Sequence, residues 1–315
     1  MDKQFNDIHN AEVRLFLILT IALVALFIIS FISGSISKRK NISVPTQVAT
    51  SPFEQINLEA KAIYVYDART RTVLFAKNAD DRLPLASLTK LMSTLVATDL
   101  DLLDNTITIS REALDVEGDS GLRLGEKWSL RNLLDFSLMT SSNDGMHAIA
   151  LALGSLKKEG TNSEKLINDF VGLMNRKASF IGLKNTYFWN ETGLDETDIK
   201  GGGYSTARDM GTFTEYILRH YPEMLLATKE DTTTFQSLDS RLHVAKNTNI
   251  IVSDIPGIMA SKTGFTDIAG GNIVFVFDPE LGRPIIVSIL GSTEDGRFRD
   301  AEQLVNAVMA YIRQH

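Results

Sequence analysis

Ala62-Ile63-Tyr64-Val65-Tyr66-Asp67-Ala68-Arg69-Thr70-Arg71-Thr72-Val73-Leu74-Phe75-Ala76 opens the folded part of this chain. Its two ends are rich in β-branched and aromatic residues, and the polar segment Asp67 to Arg71 between them reads as a turn, so the stretch predicts a hairpin. Three further apolar runs of the same kind, Gly257–Thr263, Asn272–Phe277 and Pro284–Leu290, lie near the other end of the chain with Gly- and Pro-containing turns between them. The middle has a different period. About Ser87 to Asp99, Leu130–Met139, Asp144–Leu153, Ser163–Phe180 and Thr206–His220 carry apolar residues at helical spacing, and Arg297 to Ile312 predicts a last helix. Strands from both chain ends with helices between them imply an α/β (α+β) domain: an antiparallel sheet flanked by helices, with a helical lobe inserted.

The chain has 315 residues, of which 44% are hydrophobic and 23% charged, so a folded domain is expected rather than disorder. A net charge of −7 argues against a nucleic-acid partner, since binding phosphates needs a basic surface. With no cysteine, disulfides, thiolate catalysis and cysteine metal sites are excluded. His9, His147, His220, His243 and His315 follow no ligand spacing, so neither metal nor cofactor is expected.

Towards the N-terminus, Leu15 to Ile32 is apolar except for Thr20 and Ser30. At about 1.5 Å per residue a helix of that length nearly crosses the ~30 Å hydrocarbon core. The expectation is an uncleaved anchor over 15–35, after a cytoplasmic segment 1–14, that holds the protein to the cell membrane. A cleaved signal peptide, cut at Ser33-Gly34-Ser35, is the alternative. Lys3 and Arg14 precede the span and Lys38, Arg39 and Lys40 follow it, so charge alone leans slightly towards a cytoplasmic domain. The chemistry below argues for the outside. Residues 36–52, polar with two prolines, read as a linker to a catalytic domain at 53–315.

Three short motifs carry that chemistry. Ser87 and Lys90 in Ser87-Leu88-Thr89-Lys90 fall one turn apart at a helix start. A serine hydroxyl needs a base, and a lysine serves only if burial or other cations bring its pKa well below ~10.4. Lys262 is a candidate for such a cation. In Ser141-Ser142-Asn143, Ser141 would shuttle protons between the lysines and the leaving group, while Asn143 would hydrogen-bond the substrate backbone. In Lys262-Thr263-Gly264, the ammonium and hydroxyl suit a substrate carboxylate, and the glycine lets another backbone approach closely. Taken singly, each motif reads as a helix cap, an interhelical loop or a strand end. Taken together and in this order, they describe a serine acyl-transfer site with lysine as proton handler.

From about Ala60 to the C-terminus the chain resembles the low-molecular-mass penicillin-binding proteins, the D-alanyl-D-alanine carboxypeptidases and related endopeptidases. Pro84-Leu85-Ala86-Ser87-Leu88-Thr89-Lys90 is similar to that family's P-x-A-S-x-T-K. Gly121 to Asn143 follows its second block, Asn190 to Asp195 resembles N-P-T-G-L-D, and Ser205 to Asp209 resembles S-T-A-x-D. Asn247-Thr248-Asn249 matches an N-T-N block, and Lys262 to Gly270 matches K-T-G-x-T-x-x-A-G. The resemblance implies a penicillin-binding protein/β-lactamase-like fold and a serine acyl-enzyme acting on peptidoglycan stem peptides that end in D-Ala-D-Ala, with β-lactam antibiotics as inhibitors. Ser87 would attack the penultimate D-Ala carbonyl, with Lys90 as base. The backbone N–H groups of Ser87 and Phe265 would form the oxyanion hole. Lys262 and Thr263 would hold the terminal carboxylate, and Arg297 stands where the family places an arginine that also reaches it. A helix-start surface residue is the plainer reading of Arg297.

Glu191 departs from the pattern by replacing the family's proline. It makes Glu191 to Asp195 similar to a β-lactamase motif whose glutamate activates the deacylating water. Because the block otherwise follows the carboxypeptidases, Glu191 is expected to be a solvated loop residue. No C-terminal accessory domain is expected after the last helix, and its lack, with the N-T-N block, leaves a D,D-endopeptidase role open. Beyond the carboxypeptidase, a serine β-lactamase and a catalytically silent cell-wall binding or sensor protein are the competing readings.

Overall fold

The computed structural model describes residues 17–26, 51–100, 102–154 and 162–314. The chain divides into two units, Met1–Thr50 and Ser51–His315. In the first, residues 17–26 form a helix, α1, and the remainder of the predicted Leu15 to Ile32 span lies outside the described residues. Among the described residues no helix is long and apolar enough to cross a membrane.

The second unit is built on the sheet that the opening stretch predicts. Strands β1 (Ala62–Asp67) and β2 (Thr72–Lys77) form the hairpin. Strands β10 (Ile258–Thr266), β11 (Gly270–Phe277) and β12 (Ile285–Ser292) come from the C-terminal part. The sheet order is β10-β11-β12-β1-β2, with β12 pairing antiparallel to β1, so the two chain ends meet in the centre. Alternation along β1 serves two cores. Ala62 and Tyr64 pack into the larger one under the helical lobe, whereas Ile63 and Val65 join Phe275, Phe277 and Ile289 on the opposite face. Each fully buried Val, Ile or Phe side chain among these contributes about 1.5–3 kcal/mol. Helix α8 (Gly296–Gln314) covers this second face through Phe298, Leu304 and Val308.

The lobe comprises α2 (Lys90–Asp99), the short α3 (Arg111–Leu114), α4 (Leu130–Thr140), α5 (Asn143–Gly154), α6 (Ser163–Ile181) and α7 (Ala207–His220). Ser129, Asn162 and Thr206 cap α4, α6 and α7, their side chains accepting N–H bonds from the first turn. Three small strand groups complete the unit. They are β4 (Thr106–Thr108) with β5 (Lys127–Ser129); β3 (Leu83–Pro84), β6 (Tyr187–Phe188) and β7 (Gly203–Ser205); and a hairpin of β8 (Thr232–Gln236) with β9 (Leu242–Lys246). None of these was expected from the sequence. Strands of two or three residues are too short to show a period, and β8 and β9 each bury a single residue, Phe235 and Ala245.

Candidate active site

Ser87 sits in a 3-10 turn, Ala86–Thr89, that runs into α2, rather than in the α-helix itself. That turn is wedged between two close backbones. A Cβ on Gly264 would lie 2.9 Å from both Leu85 O and Ser87 N, and one on Gly193 would lie 1.9 Å from Ala86 O. Only glycine permits strand β10 and the 190–195 loop to come this close. Asn272 steadies the approach, its Nδ2 donating to Pro84 O at 3.0 Å.

Lys90 is the first residue of α2 and is wholly buried at 0% exposure. Its Nζ lies 2.8 Å from Ser87 Oγ, 2.6 Å from Asn143 Oδ1 and 2.8 Å from Thr192 O. Asn143 is held by its other amide atom, Nδ2 donating to Glu117 O at 2.8 Å. Burial lowers the Lys90 ammonium to a pKa of about 7, against the opposing pull of the Glu191 and Asp144 carboxylates.

Ser141 closes α4 in a left-handed conformation at φ 61°. From there its Oγ meets Lys262 Nζ at 2.9 Å. Lys262 lies on β10 at 2% exposure, and its Nζ also donates to Thr263 O at 2.7 Å. Burial lowers its pKa well below the ordinary value, and the nearby charges of Lys90 and Arg297 lower it further. The Thr263 hydroxyl bonds Thr248 at 2.7 Å, which ties the Asn247 to Asn249 block to the strand.

Arg297 is buried at 8% exposure, which corrects the surface reading. It stands in the first turn of α8, and its Nη1 donates to Gly264 O at 3.1 Å. Among the described residues its buried Nε meets no hydrogen-bond partner. Phe265, over whose ring the guanidinium lies at 5.9 Å, is partly exposed and lines a cleft of about 820 Å³ together with Ser87 and Asn143. Of the sequence-predicted residues, Ser87, Asn143 and Phe265 line this cleft, Lys90 contacts Ser87 and Asn143, Lys262 contacts Ser141, and Gly264 lies against the Ser87 backbone and accepts from Arg297.

Glu191 is not solvated, and that expectation is overturned. It is 3% exposed, and its Oε1 lies 2.6 Å from His147 Nδ1. The sequence reading also missed the Thr192 carbonyl as a lysine partner, Thr248 as the partner of Thr263, and Asp195, whose carboxylate accepts the Thr266 hydroxyl at 3.0 Å. A main-chain acceptor leaves no mark on residue type, although the matched N-E-T-G-L-D and N-T-N blocks contain all three positions.

Residues 46–293 match the family described as D-alanyl-D-alanine carboxypeptidase, peptidase S11. The chain belongs to that family. As a member it is a serine-type D-Ala-D-Ala carboxypeptidase, a hydrolase, and a low-molecular-mass penicillin-binding protein. It is 32% identical over 249 residues to a D-alanyl-D-alanine endopeptidase of Pseudomonas aeruginosa, covering 78% of this chain and 74% of that one. Against the carboxypeptidase DacF of Bacillus subtilis it is 30% identical over 216 residues, 66% of this chain and 51% of DacF. The crystal structure of the Streptomyces K15 DD-transpeptidase superposes with a TM-score of 0.72 at 26% identity, covering 81% of this chain and 98% of that one.

Proposed function

We propose that this chain removes the terminal D-alanine from peptidoglycan stem peptides through an acyl-enzyme on Ser87. The observation that carries the reading is the set of partners around Lys90. A neutral amine has two N–H donors and one lone pair. Asn143 Oδ1 and Thr192 O can only accept, so they take both donors. The lone pair is left for Ser87, the one neighbour of the three with a proton to give. Lys90 then removes the Ser87 proton as Oγ attacks the penultimate D-Ala carbonyl. The N–H groups of Ser87 and Phe265 stabilise the oxyanion. Lys262, Thr263 and Arg297 bind the terminal carboxylate, with Gly264 providing the close approach, and Asn143 steadies the peptide backbone. Collapse of the tetrahedral intermediate breaks the C–N bond, and the leaving D-alanine amine takes a proton through Ser141. Water then hydrolyses the ester and frees Ser87.

The same site would take β-lactam antibiotics, whose strained amide and carboxylate answer the same groups. The domain would face outside the cell membrane, where its substrate is, held by the apolar Leu15 to Ile32 segment. Protease accessibility in whole cells tests that placement.

The central test is intact-mass spectrometry of the full chain with benzylpenicillin, beside Ser87→Ala, followed by chromatography of a stem pentapeptide digest. A single long-lived adduct absent from the variant, with release of free D-alanine, is the expected result. Drug consumed with no adduct would point to a β-lactamase, and intact drug with unmodified protein to a silent protein.

A further inference from the structure

The Glu191 side chain is buried, is not among the residues that line the cleft, and has no role in the reaction just described. Its surroundings give it one. Its partner His147, 16% exposed, stands on α5 one turn beyond Asn143, the first residue of that helix. The Glu191 carbonyl accepts the Ser93 hydroxyl at 2.6 Å, and Ser93 lies one turn beyond Lys90 on α2. The next carbonyl along the loop, that of Thr192, accepts from Lys90 itself. The His147–Glu191 contact therefore ties together the two segments that supply the acceptors of the Lys90 amine. One comes from α5 and the other from the 190–195 loop, 44 positions apart at the point of contact.

We propose that His147 and Glu191 are a positioning pair that locks Asn143 and Thr192 around Lys90, and that the Glu191 charge sets the pH at which the Lys90 amine can take the Ser87 proton. Several ionisable groups surround this centre. They are Asp144 and His147 on α5, Glu191 on the loop, Lys262 on β10, and Arg297, which acts on Lys262 from α8. Of the two carboxylates that hold the Lys90 ammonium against burial, Glu191 acts more strongly. Asp144 is already engaged, accepting from Ser142 Oγ, Gly145 N and Ser120 N at the start of α5. Glu191 has the His147 ring as its side-chain partner. Removing the Glu191 negative charge favours neutral Lys90, so the base persists to lower pH.

This inference rests on the acyl-enzyme reading, and its test separates the two. The rate of acylation by a chromogenic cephalosporin is measured from pH 5 to 9 for the full-length wild type, Glu191→Gln, His147→Gln and His147→Lys. Each profile is normalised to its own plateau, so that a loss of folded protein does not change its shape. The expected acid limb of Glu191→Gln lies roughly one pH unit below that of the wild type. His147→Lys places a fixed cation beside the carboxylate and moves the limb down as well. His147→Gln keeps a donor for Glu191 and leaves the limb in place or higher. Should Glu191→Gln fail to fold, a limb that moves down in His147→Lys and not in His147→Gln still decides. Limbs that coincide in all variants, with only the plateau lowered, reduce the pair to a structural tie and overturn the proposal. A wild type that forms no adduct at any pH overturns the acyl-enzyme reading itself, and this inference with it.

Discussion

Lys90 and Lys262 are the same residue type, both buried, and each touches a serine hydroxyl, yet their surroundings are opposite. Lys90 meets three oxygen atoms, and carboxylates at Glu191 and Asp144 act on it. Lys262 meets Ser141 and a main-chain carbonyl, and the charges acting on it are cations, Lys90 and Arg297. Lys90 is thus balanced close to neutrality, where a base works best. Burial and those cations push Lys262 towards the neutral amine, and in the proposed reaction an arriving substrate carboxylate would supply the negative charge its surroundings lack. On the proposed reading, one lysine is tuned by the protein and the other by its ligand.

The sharpest way to break this contrast is to remove each amine in turn. Lys90→Met takes away the proposed base, and the acylation rate by benzylpenicillin should fall by about 10²–10⁴. Lys262→Met should cost about 10²–10³ on a peptide with a free terminal carboxylate, by analogy with other single donors to developing or bound charge. A substrate whose terminal carboxylate is replaced by an amide should lose a similar factor with the wild type and little more with Lys262→Met. Independent, additive losses from the two changes would mean that Lys262 does not serve the carboxylate.

The pH profile distinguishes the lysines next. The Lys90 pKa of about 7 is depressed from its ordinary value, so the amine is neutral above about pH 7 and protonated below. Wild-type acylation should therefore reach a plateau on the alkaline side and fall roughly tenfold per pH unit on the acid side. Stability has a sign of its own. A depressed lysine pKa means the unfolded chain binds more protons between the folded and unfolded values, so both lysines should make the domain more stable as pH rises from about 7 towards 10. Urea midpoints that drop over this range would contradict the burial argument.

The sequence announced this contrast only in part. The two lysines, their serines and Asn143 were legible because side-chain chemistry at fixed spacing survives in a string of letters. The hairpin and the C-terminal strands were legible because β1, β11 and β12 are long enough to show β-rich apolar runs. What separates Lys90 from Lys262 was not legible. It depends on the Thr192 carbonyl, on a glutamate buried against a histidine 44 positions away, and on a serine held at positive φ. Such features are set by tertiary packing, and the Glu191 side chain read as solvated because charged residues usually are. Arg297 was undecided for the same reason. Its place at a helix start suits a surface residue, and its contact with Gly264 O depends on tertiary packing.

Arg297 also gives the smallest effect and the most informative one. A cation in the first turn of a helix opposes the helix dipole, and burial lowers its pKa although Glu294 and Asp295 act against that. Its hydrogen bonding within the protein is incomplete, with Nη1 on Gly264 O and Nε unpartnered among the described residues. On the proposed reading, a guanidinium kept under these conditions costs the free protein stability, and a bound anion offsets that cost. Arg297→Met, similar in length and without charge, should therefore do two things at once. It should raise KM for the peptide about tenfold with a smaller change in kcat, and it should raise Tm by about 1–3 °C. A variant with lower Tm and unchanged KM would make Arg297 a support for β10. The cation cluster around Lys262 would then lose its second member as a carboxylate ligand, and the contrast between the two lysines would rest on Lys262 alone.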